Sequence, residues 1–309
     1  MTKTYYVHPE RGQPRNDGLS PERPFDNFDA ALSRYARGDT IMLGTGRYPG
    51  KTITTPVKIK GWGKPVIDGS LGSGQGMLVK APFTHLEGLD VRNVRREASI
   101  AFMGGAHHGT ARDCTISDSP NTGLYATNKG ADYLTWQNIT VRNVNYGDTP
   151  GRSAVSVLSP TPVRGFPDRV ARIRLLNIVV KDCGGGRETA DKYAIIIDNN
   201  PERDFPHLVL IDGAGISSCA KGLLVFNVQK ARVIGTVVEG CGTAGIWMRN
   251  SGGLVEDCSV IAPRGAYTYH AKGWRDDRPV TWRGNAARCA DGGMGLGEGV
   301  PNTAAEGWR

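Results

Sequence analysis

Hydrophobic residues recur along this chain in short segments that alternate with polar residues and end at a turn residue. The alternation is typical of β-strands that bury one face. The turn residues stand at positions 93, 118, 143, 182, 218, 240 and 262, at successive intervals of 25, 25, 39, 36, 22 and 22 residues. A recurrence of this length predicts a solenoid whose stacked coils share a core.

The residues in these segments favour a parallel β-helix over other solenoids. The strands are rich in Val and Ile, whereas a leucine-rich repeat needs several regularly spaced Leu. Helical repeats are not indicated, because almost no segment has a 3.6-residue period. A propeller is not indicated, because the repeat is too short and no Trp-Asp signature recurs. Asn or Asp, which tolerate left-handed backbone, occupies four turn positions: Asn93, Asp118, Asn143 and Asp182. Further strands are predicted at 123–126, 222–225, 245–248 and 265–269, so each coil has at least two strands.

One amphipathic helix is predicted at residues 25–37. Its apolar face has the i, i+3, i+4, i+7 spacing and consists of Phe28, Ala31, Leu32 and Tyr35. Asp26 or Asn27 can cap its first turn, and Gly38 fits the C′ position. A solenoid needs a cover over its first coil, and we expect this helix to provide it.

The N-terminal region resembles a known family. Residues 17–25, the predicted helix, residues 38–41 and residues 46–48 are similar to the N-terminal cap of right-handed parallel β-helix proteins, the pectate-lyase-like superfamily that includes phage tailspikes. The resemblance covers roughly residues 4–290. It implies an all-β, single-stranded right-handed parallel β-helix with an N-terminal capping helix. It implies little about activity, because one fold supports many functions.

The chain is predicted to be one solenoid with three parts: a cap at residues 1–50, coils at 51–271 and a C-terminal coil and tail at 272–309. No apolar run reaches 18 residues, so no membrane span is predicted. No secretion signal precedes the first predicted strand, near Tyr5. Taken with the resemblance, this favours assembly into a phage particle. A secreted protein whose signal has been removed is the alternative, so the expected location is the virion or the extracellular space.

Cysteines and charge add two expectations. Cys183, Cys219 and Cys241 fall in one slot of successive coils, and Cys114 and Cys258 fall at inward positions, which predicts buried free thiols. A disulfide between stacked cysteines stays open. The net charge is +8, which favours anionic partners. Without a Lys/Arg block or a regular aromatic stripe, a polysaccharide is favoured over nucleic acid.

The two long intervals indicate where a site would lie. Their surplus residues fall in loops at 144–152, 158–168, 184–192 and 199–206. Consecutive coils place these loops above one another, around the strands at 153–157 and 193–198. Long loops on a rigid scaffold commonly carry binding sites. By strand alternation Ser156, Ile196 and Asp198 face outward, into this predicted groove.

Two reaction types fit the charged residues of this groove. Glycoside hydrolysis needs two carboxylates, which Asp198 with Glu202, Asp191 or Asp204 could supply. Uronate elimination or epimerisation needs a base and cations, which Lys192, Arg152 or Arg187 could supply, with Tyr193 or Tyr146. Trp247 could stack on a sugar. The alternative is that these loop charges are solvated or contact another subunit.

The resemblance therefore implies a virion-associated, tailspike-like protein that binds, and in one version degrades, an acidic or neutral bacterial surface polysaccharide. It also implies contacts with other virion proteins and a homo-oligomer, with a trimer as the expected state. The alternatives are a noncatalytic phage structural or decoration protein and a secreted polysaccharide lyase or glycoside hydrolase. No cofactor or metal site is indicated, and calcium is the one ion left open.

Overall fold

The computed structural model describes residues 2–147, 153–160, 171–184, 192–199, 207–242, 245–262, 267–270 and 280–289. After β1 (Thr4–Val7) comes a short α-helix, α1 (Phe28–Arg34). The strands that follow are β2 (Thr40–Tyr48), β3 (Lys51–Ile53), β4 (Lys58–Asp68), β5 (Met77–Val79), β6 (His85–Glu87), β7 (Asp90–Arg92), β8 (Ile100–Phe102), β9 (Thr110–Arg112), β10 (Thr115–Ser119), β11 (Leu124–Thr127) and β12 (Leu134–Val144).

The second half of the chain continues in the same way. Its strands are β13 (Val155–Leu158), β14 (Ala171–Lys181), β15 (Tyr193–Asp198), β16 (His207–Asp212), β17 (Gly215–Ser217), β18 (Lys221–Phe226), β19 (Lys230–Ile234), β20 (Val237–Glu239), β21 (Ile246–Arg249), β22 (Gly253–Glu256), β23 (Ser259–Ala262), β24 (Tyr267–His270), β25 (Val280–Arg283) and β26 (Ala286–Cys289). A 3₁₀ turn at Asn128–Ala131 follows β11.

The strands form two parallel sheets that run the length of the described solenoid. One sheet has nine strands: β3, β5, β8, β11, β13, β15, β18, β21 and β24. The other has 17 strands and folds into two ribbons. The first ribbon contains β1, β6, β9, β16, β19, β22 and β25, and the second contains β7, β10, β17, β20, β23 and β26. Strands β2, β4, β12 and β14 run through both. The predicted parallel β-helix is confirmed.

Each coil has two left-handed corners, of which the sequence pattern revealed one. The predicted corners have positive φ, for example 56° at Asn93 and 54° at Asp118. The predicted corner at 262 is wrong, because Ala262 ends strand β23. A second corner separates the two ribbons and holds Gly88, Asp113, Asn138, Asn177, Gly213, Gly235, Asp257 and Gly284, all with positive φ. Three strands per coil result, one more than the pattern showed.

Side-chain amides link the second corner from coil to coil. Asn138 Nδ2 donates to Asp113 Oδ1 at 2.8 Å, and Asn177 Nδ2 donates to Asn138 Oδ1 at 3.1 Å. Asn and Asp suit this position because their short polar side chains make left-handed backbone less costly. The corner is therefore held by backbone conformation and by a ladder of hydrogen bonds.

Replacing Asn138 separates these two contributions. Asn138→Ala is expected to cost about 1–2 kcal/mol, because alanine resists the φ of 53° and cannot donate to Asp113. Asn138→Gly should cost less, since glycine adopts this conformation freely. Free energies of unfolding in urea test this. Equal losses in both variants would mean that the hydrogen bonds, not the backbone conformation, hold the corner.

The capping helix is shorter than its apolar pattern suggested. It spans seven residues, and Asn27 caps it by accepting a hydrogen bond from the Ala30 N–H at 2.8 Å. The predicted start at 25 is wrong, because Phe25 pairs with Val7 in a parallel bridge and is buried. The predicted end at Arg37 with Gly38 at C′ is also wrong, because Tyr35 has extended backbone and caps the helix. Phe28 and Ala31 are buried against the first coil, as a cap requires.

A single apolar core fills the interior between the sheets. The inward positions of the recurring segments, such as Leu89, Val91, Cys114 and Ile116, are buried as predicted. Five of the cysteines are buried free thiols: Cys114, Cys183, Cys219, Cys241 and Cys258. Burial raises the pKa of the Cys241 thiol to about 12, so this thiol stays protonated and packs as a small apolar group.

Candidate functional site

The floor of the candidate site is the outer face of the nine-stranded sheet between β13 and β21. Leu158, Asp198, Phe226 and Arg249 lie in register on four successive strands. Their neighbours one position earlier, such as Ile197 and Val225, point inward and are fully buried. Because side chains alternate across a strand, the four side chains form one outward row. The predicted outward orientation of Asp198 agrees with this register.

Asp198 has the most unusual carboxyl group in this row. It is half-buried between Leu158 and Phe226, and its carboxylate has no hydrogen-bond partner among the described residues. Burial raises its pKa from the usual 3.8 to about 6, while the nearby Arg249 cation acts in the opposite direction. A carboxyl group whose pKa is raised to about 6 and whose oxygen atoms accept no hydrogen bond from a described residue can serve as a general acid below that pH.

Arg249 is the cation whose charge acts on Asp198. Its guanidinium lies 4.8 Å from the centroid of the Phe226 ring and 5.7 Å from that of the Trp247 ring. Cation–π contacts of this kind orient an arginine without neutralising its charge. The guanidinium can therefore act both on Asp198 and on an anionic group of a ligand.

Removing this cation has a definite effect on Asp198. We expect the pKa of Asp198 to rise above about 6 in Arg249→Gln, because Arg249 holds it down and glutamine carries no charge. Carboxyl-carbon NMR titration of wild type and variant measures this shift without any substrate. Lys221→Gln removes a cation from the same sheet and serves as the control. An unchanged Asp198 titration in Arg249→Gln would contradict the coupling.

A pocket of about 310 Å³ lies next to Asp198 along the solenoid axis. It contains Leu158, the residue in register with Asp198. Its full lining is Glu97, Ala98, Met103, Thr122, Tyr125, Ser156 and Leu158. The Tyr125 ring and the apolar side chains offer a surface for a sugar ring, and Glu97 places a second carboxylate at its edge.

Tyr193 and Trp247, both predicted to bind substrate, lie together on the same sheet but outside the row of Asp198. Their ring centroids are 6.3 Å apart, and the Lys221 ammonium lies 5.2 Å from the centroid of the Tyr193 ring. Tyr193 is only 4% exposed, whereas Trp247 is partly exposed. This arrangement makes Trp247 the contact surface and Tyr193 its support.

Lys192, predicted as a catalytic base, has a different environment. It is 3% exposed, and its ammonium donates to the Gly147 carbonyl oxygen at 2.5 Å. This contact ties residue 192 to the loop that leaves β12, in the previous coil. A buried cation whose proton is shared with the main chain favours a structural role over proton transfer.

The remaining predicted residues lie outside the described part of the chain. They are Arg152, Arg187, Asp191, Glu202 and Asp204. Sequence reasoning missed Phe226, Arg249, Leu158 and Glu97. The signal for Arg249 was available, because it stands two positions after Trp247 and alternation gives both residues the same outward face. Phe226 likewise stands two positions after Leu224, so alternation gives these two residues the same face.

The described ranges contain neither a candidate metal cluster nor a membrane-spanning helix. They hold no group of three or more His, Cys, Asp or Glu side chains that could bind a metal ion. No helix within them has the length and hydropathy needed to cross a bilayer.

Comparison with known proteins identifies the fold. No family model matches the chain, and no curated protein matches it. Among solved structures, pectate lyase Pel9A aligns with a TM-score of 0.52 at 16% identity, over 94% of this chain and 78% of Pel9A. The fold is that of the pectate-lyase-like parallel β-helices. XylC in complex with xylose aligns with a TM-score of 0.57 at 11% identity, over 92% of this chain and 68% of XylC.

A third similar structure is the A-module of mannuronan C-5 epimerase AlgE4 from Azotobacter vinelandii. It aligns with a TM-score of 0.52 at 13% identity, over 87% of each chain. At these identities the pectate-lyase-like likeness establishes the architecture, and the chemistry has to be inferred from the site itself.

Proposed function

We propose that this β-helix binds a polysaccharide across the outer face of its nine-stranded sheet and that Asp198 transfers a proton in the cleavage of the chain. The observation that carries the proposal is the half-buried Asp198 carboxyl group, with a pKa of about 6. Such a group is costly to keep in a folded protein unless it has a use, so perturbed carboxyl groups in grooves mark candidate active sites.

The surroundings of Asp198 suit a sugar chain. Phe226 and Arg249 lie in the row of Asp198, and the adjacent outward row carries Tyr125 and Trp247. Aromatic faces with a few polar groups are the usual composition of carbohydrate sites. The names of the similar structures support the same substrate class: a pectate lyase, a mannuronan epimerase and a protein bound to xylose.

Hydrolysis is the first candidate reaction, and the raised pKa of Asp198 supports it. Protonated Asp198 would donate its proton to the glycosidic oxygen as the bond to the leaving sugar breaks. A second carboxylate must then activate water or attack the sugar. Glu97 does not meet this need, because it precedes β8, which lies three strands or about 14 Å from the strand of Asp198. Glu202, Asp191 and Asp204 stay predictions from the sequence.

Elimination from a uronate or its epimerisation is the second candidate. Arg249, in the same row as Asp198, forms no ion pair within 4 Å with a described residue, which favours an acidic sugar. Ionised Asp198 would then remove the proton at C5, while Arg249 stabilises the charge that develops on the uronate carboxylate. In elimination the C4–O bond then breaks and the leaving oxygen takes a proton from water, whereas in epimerisation water returns a proton to the opposite face of C5. Arg152 and Arg187 are proposed as further cations for this reaction.

The experiment is incubation of the purified protein with a panel of acidic and neutral polysaccharides. New reducing ends, the ultraviolet absorbance of an unsaturated uronate and the NMR signals of epimerised residues are followed together. Reducing ends alone support hydrolysis, and absorbance supports elimination. Absence of both product and binding across the panel would overturn the proposal and favour a structural protein. Virion association and a homo-oligomer stay proposals that rest on the resemblance to tailspikes.

A further inference from the structure

A second groove lies on the outer face of the first ribbon, away from the nine-stranded sheet. It has a volume of about 680 Å³ and crosses the strands from β12 to β22. Its lining is Tyr133, Thr135, Ile173, Arg174, Leu208, Val209, Leu210, Lys230, Ala231, Arg232, Gly253 and Leu254. Nothing in the proposed reaction at Asp198 uses these residues.

The charges of this first-ribbon groove have one sign. Arg174, Lys230 and Arg232 are exposed, and none forms an ion pair with a described residue. No Asp or Glu is among the lining residues named above. Three cations that are not neutralised produce a positive potential that attracts anionic ligands.

The strand register fixes the spacing of these cations. Arg174, Leu210, Arg232 and Leu254 lie in register on four successive strands, so each arginine alternates with a leucine. Arg174 and Arg232 are two strands apart, which corresponds to about 10 Å between their backbones. This is comparable to the distance between alternate carboxylates of an extended uronate chain. Leu208, which is 39% exposed, adds apolar surface beside the row.

We propose that the first-ribbon groove binds an acidic polysaccharide, a polyuronate, along the solenoid axis. Arg174 and Arg232 would pair with alternate carboxylates, since a guanidinium matches a carboxylate with two parallel hydrogen bonds. Lys230 adds a third positive charge. The exposed faces of Leu208, Leu210 and Leu254 contact the C–H faces of the sugar rings.

The composition of the groove favours a polyuronate over a nucleic acid. Single-stranded nucleic acids are held by aromatic side chains on which successive bases stack. Tyr133 is the aromatic residue in the lining, and its ring is already stacked on His108, with centroids 4.4 Å apart and planes at 4°. The leucines between the arginines cannot replace such a platform.

Acidic residues mark one edge of the groove. The next outward row of the ribbon carries Asp212, in register with Ile234, and Glu256, which is paired with Arg283. Because the Glu256 carboxylate is paired with Arg283, Asp212 is the residue that disfavours a polyanion on that side.

The test measures binding of de-esterified oligogalacturonate by calorimetry at low salt. The variant is Arg174→Gln/Arg232→Gln. The control is Arg142→Gln/Lys181→Gln, which also removes two exposed cations from neighbouring strands, but from the second ribbon. Thermal unfolding confirms that both variants fold. We expect the groove variant to bind roughly tenfold more weakly or worse and the control variant to bind like wild type.

Two further ligands complete the experiment. Methyl-esterified oligogalacturonate has the same sugar backbone without the charge and should bind wild type weakly, and added salt should weaken binding of the charged form. Equal loss in both double variants, or no loss in either, would overturn the proposal. Tighter binding of oligodeoxythymidylate through Arg174 and Arg232 would replace it with a nucleic-acid groove. None of these results depends on turnover at Asp198.

Discussion

Turnover of polysaccharide by Asp198→Asn is expected to be about 10²- to 10⁴-fold slower than turnover by the wild-type protein, the usual range for loss of a general acid or base. Asparagine is close to aspartic acid in shape, so it retains the packing between Leu158 and Phe226 but lacks the carboxyl proton that a general acid transfers. The measurement is kcat/KM for wild type and variant on the most active substrate of the panel.

The pH profile shows which role Asp198 has. A general acid must be protonated, so activity should fall as pH rises through about 6, and this limb should vanish in Asp198→Asn. A base must be ionised, and activity would then fall as pH decreases through the same value. Wild-type activity retained in the variant would show that Asp198 is not the proton donor and would direct attention to Glu202.

Folding stability offers a test of Asp198 that needs no substrate. Its pKa is raised from 3.8 to about 6 on folding, so the folded protein binds the proton more tightly than the unfolded chain. This contribution to stability is fully present below about pH 4 and is lost as pH rises through about 6. Asparagine never ionises. Relative to wild type, Asp198→Asn should therefore gain about 1–2 kcal/mol between pH 4 and pH 7, after allowance for partial exposure.

The two corners of each coil show what could be predicted from the sequence. The corners at Asn93, Asp118 and Asn143 end alternating segments at regular intervals, so the pattern contains both their period and their residue type. The second corner consists of one residue between two strands and holds Gly, Asp or Asn. A single left-handed residue leaves the alternation on either side almost intact, so this corner lacked a visible signal.

The candidate site also has features that could be predicted from the sequence and others that could not. Alternation was sufficient to predict that Asp198 faces outward, but its raised pKa results from burial among side chains that are 28 to 40 residues distant in sequence. Lys192 looks like a loop cation in the sequence, yet its partner is the carbonyl of Gly147 in another coil. Arg174 and Arg232 are far apart in sequence, and strand register alone brings them into one row. The local sequence pattern predicts whether a side chain faces inward or outward. Its burial and its charged partners depend on which coils stack on one another.

The largest loss of stability is expected for Trp136→Ala. Trp136 is fully buried in the central coils, and its ring centroid lies 6.1 Å from that of Phe102 in the preceding coil. Truncating a buried tryptophan leaves a cavity and costs about 3–5 kcal/mol. Urea unfolding measures this cost, with Val237→Ala as the control, because Val237 is exposed on the same sheet and should change stability by less than about 0.5 kcal/mol.

Trp136→Phe tests whether the cost comes from lost volume or from the indole N–H. The Nε1–H of Trp136 is buried and has no hydrogen-bond partner among the described residues, so removing it relieves an unsatisfied donor. We expect Trp136→Phe to cost about 1 kcal/mol, well below the alanine variant. In a solenoid each coil is stabilised by its neighbours, so a cavity between two coils weakens both of their contacts. A loss in Trp136→Phe as large as that in Trp136→Ala would mean that the indole N–H has a partner and that the ring is held by polar contact.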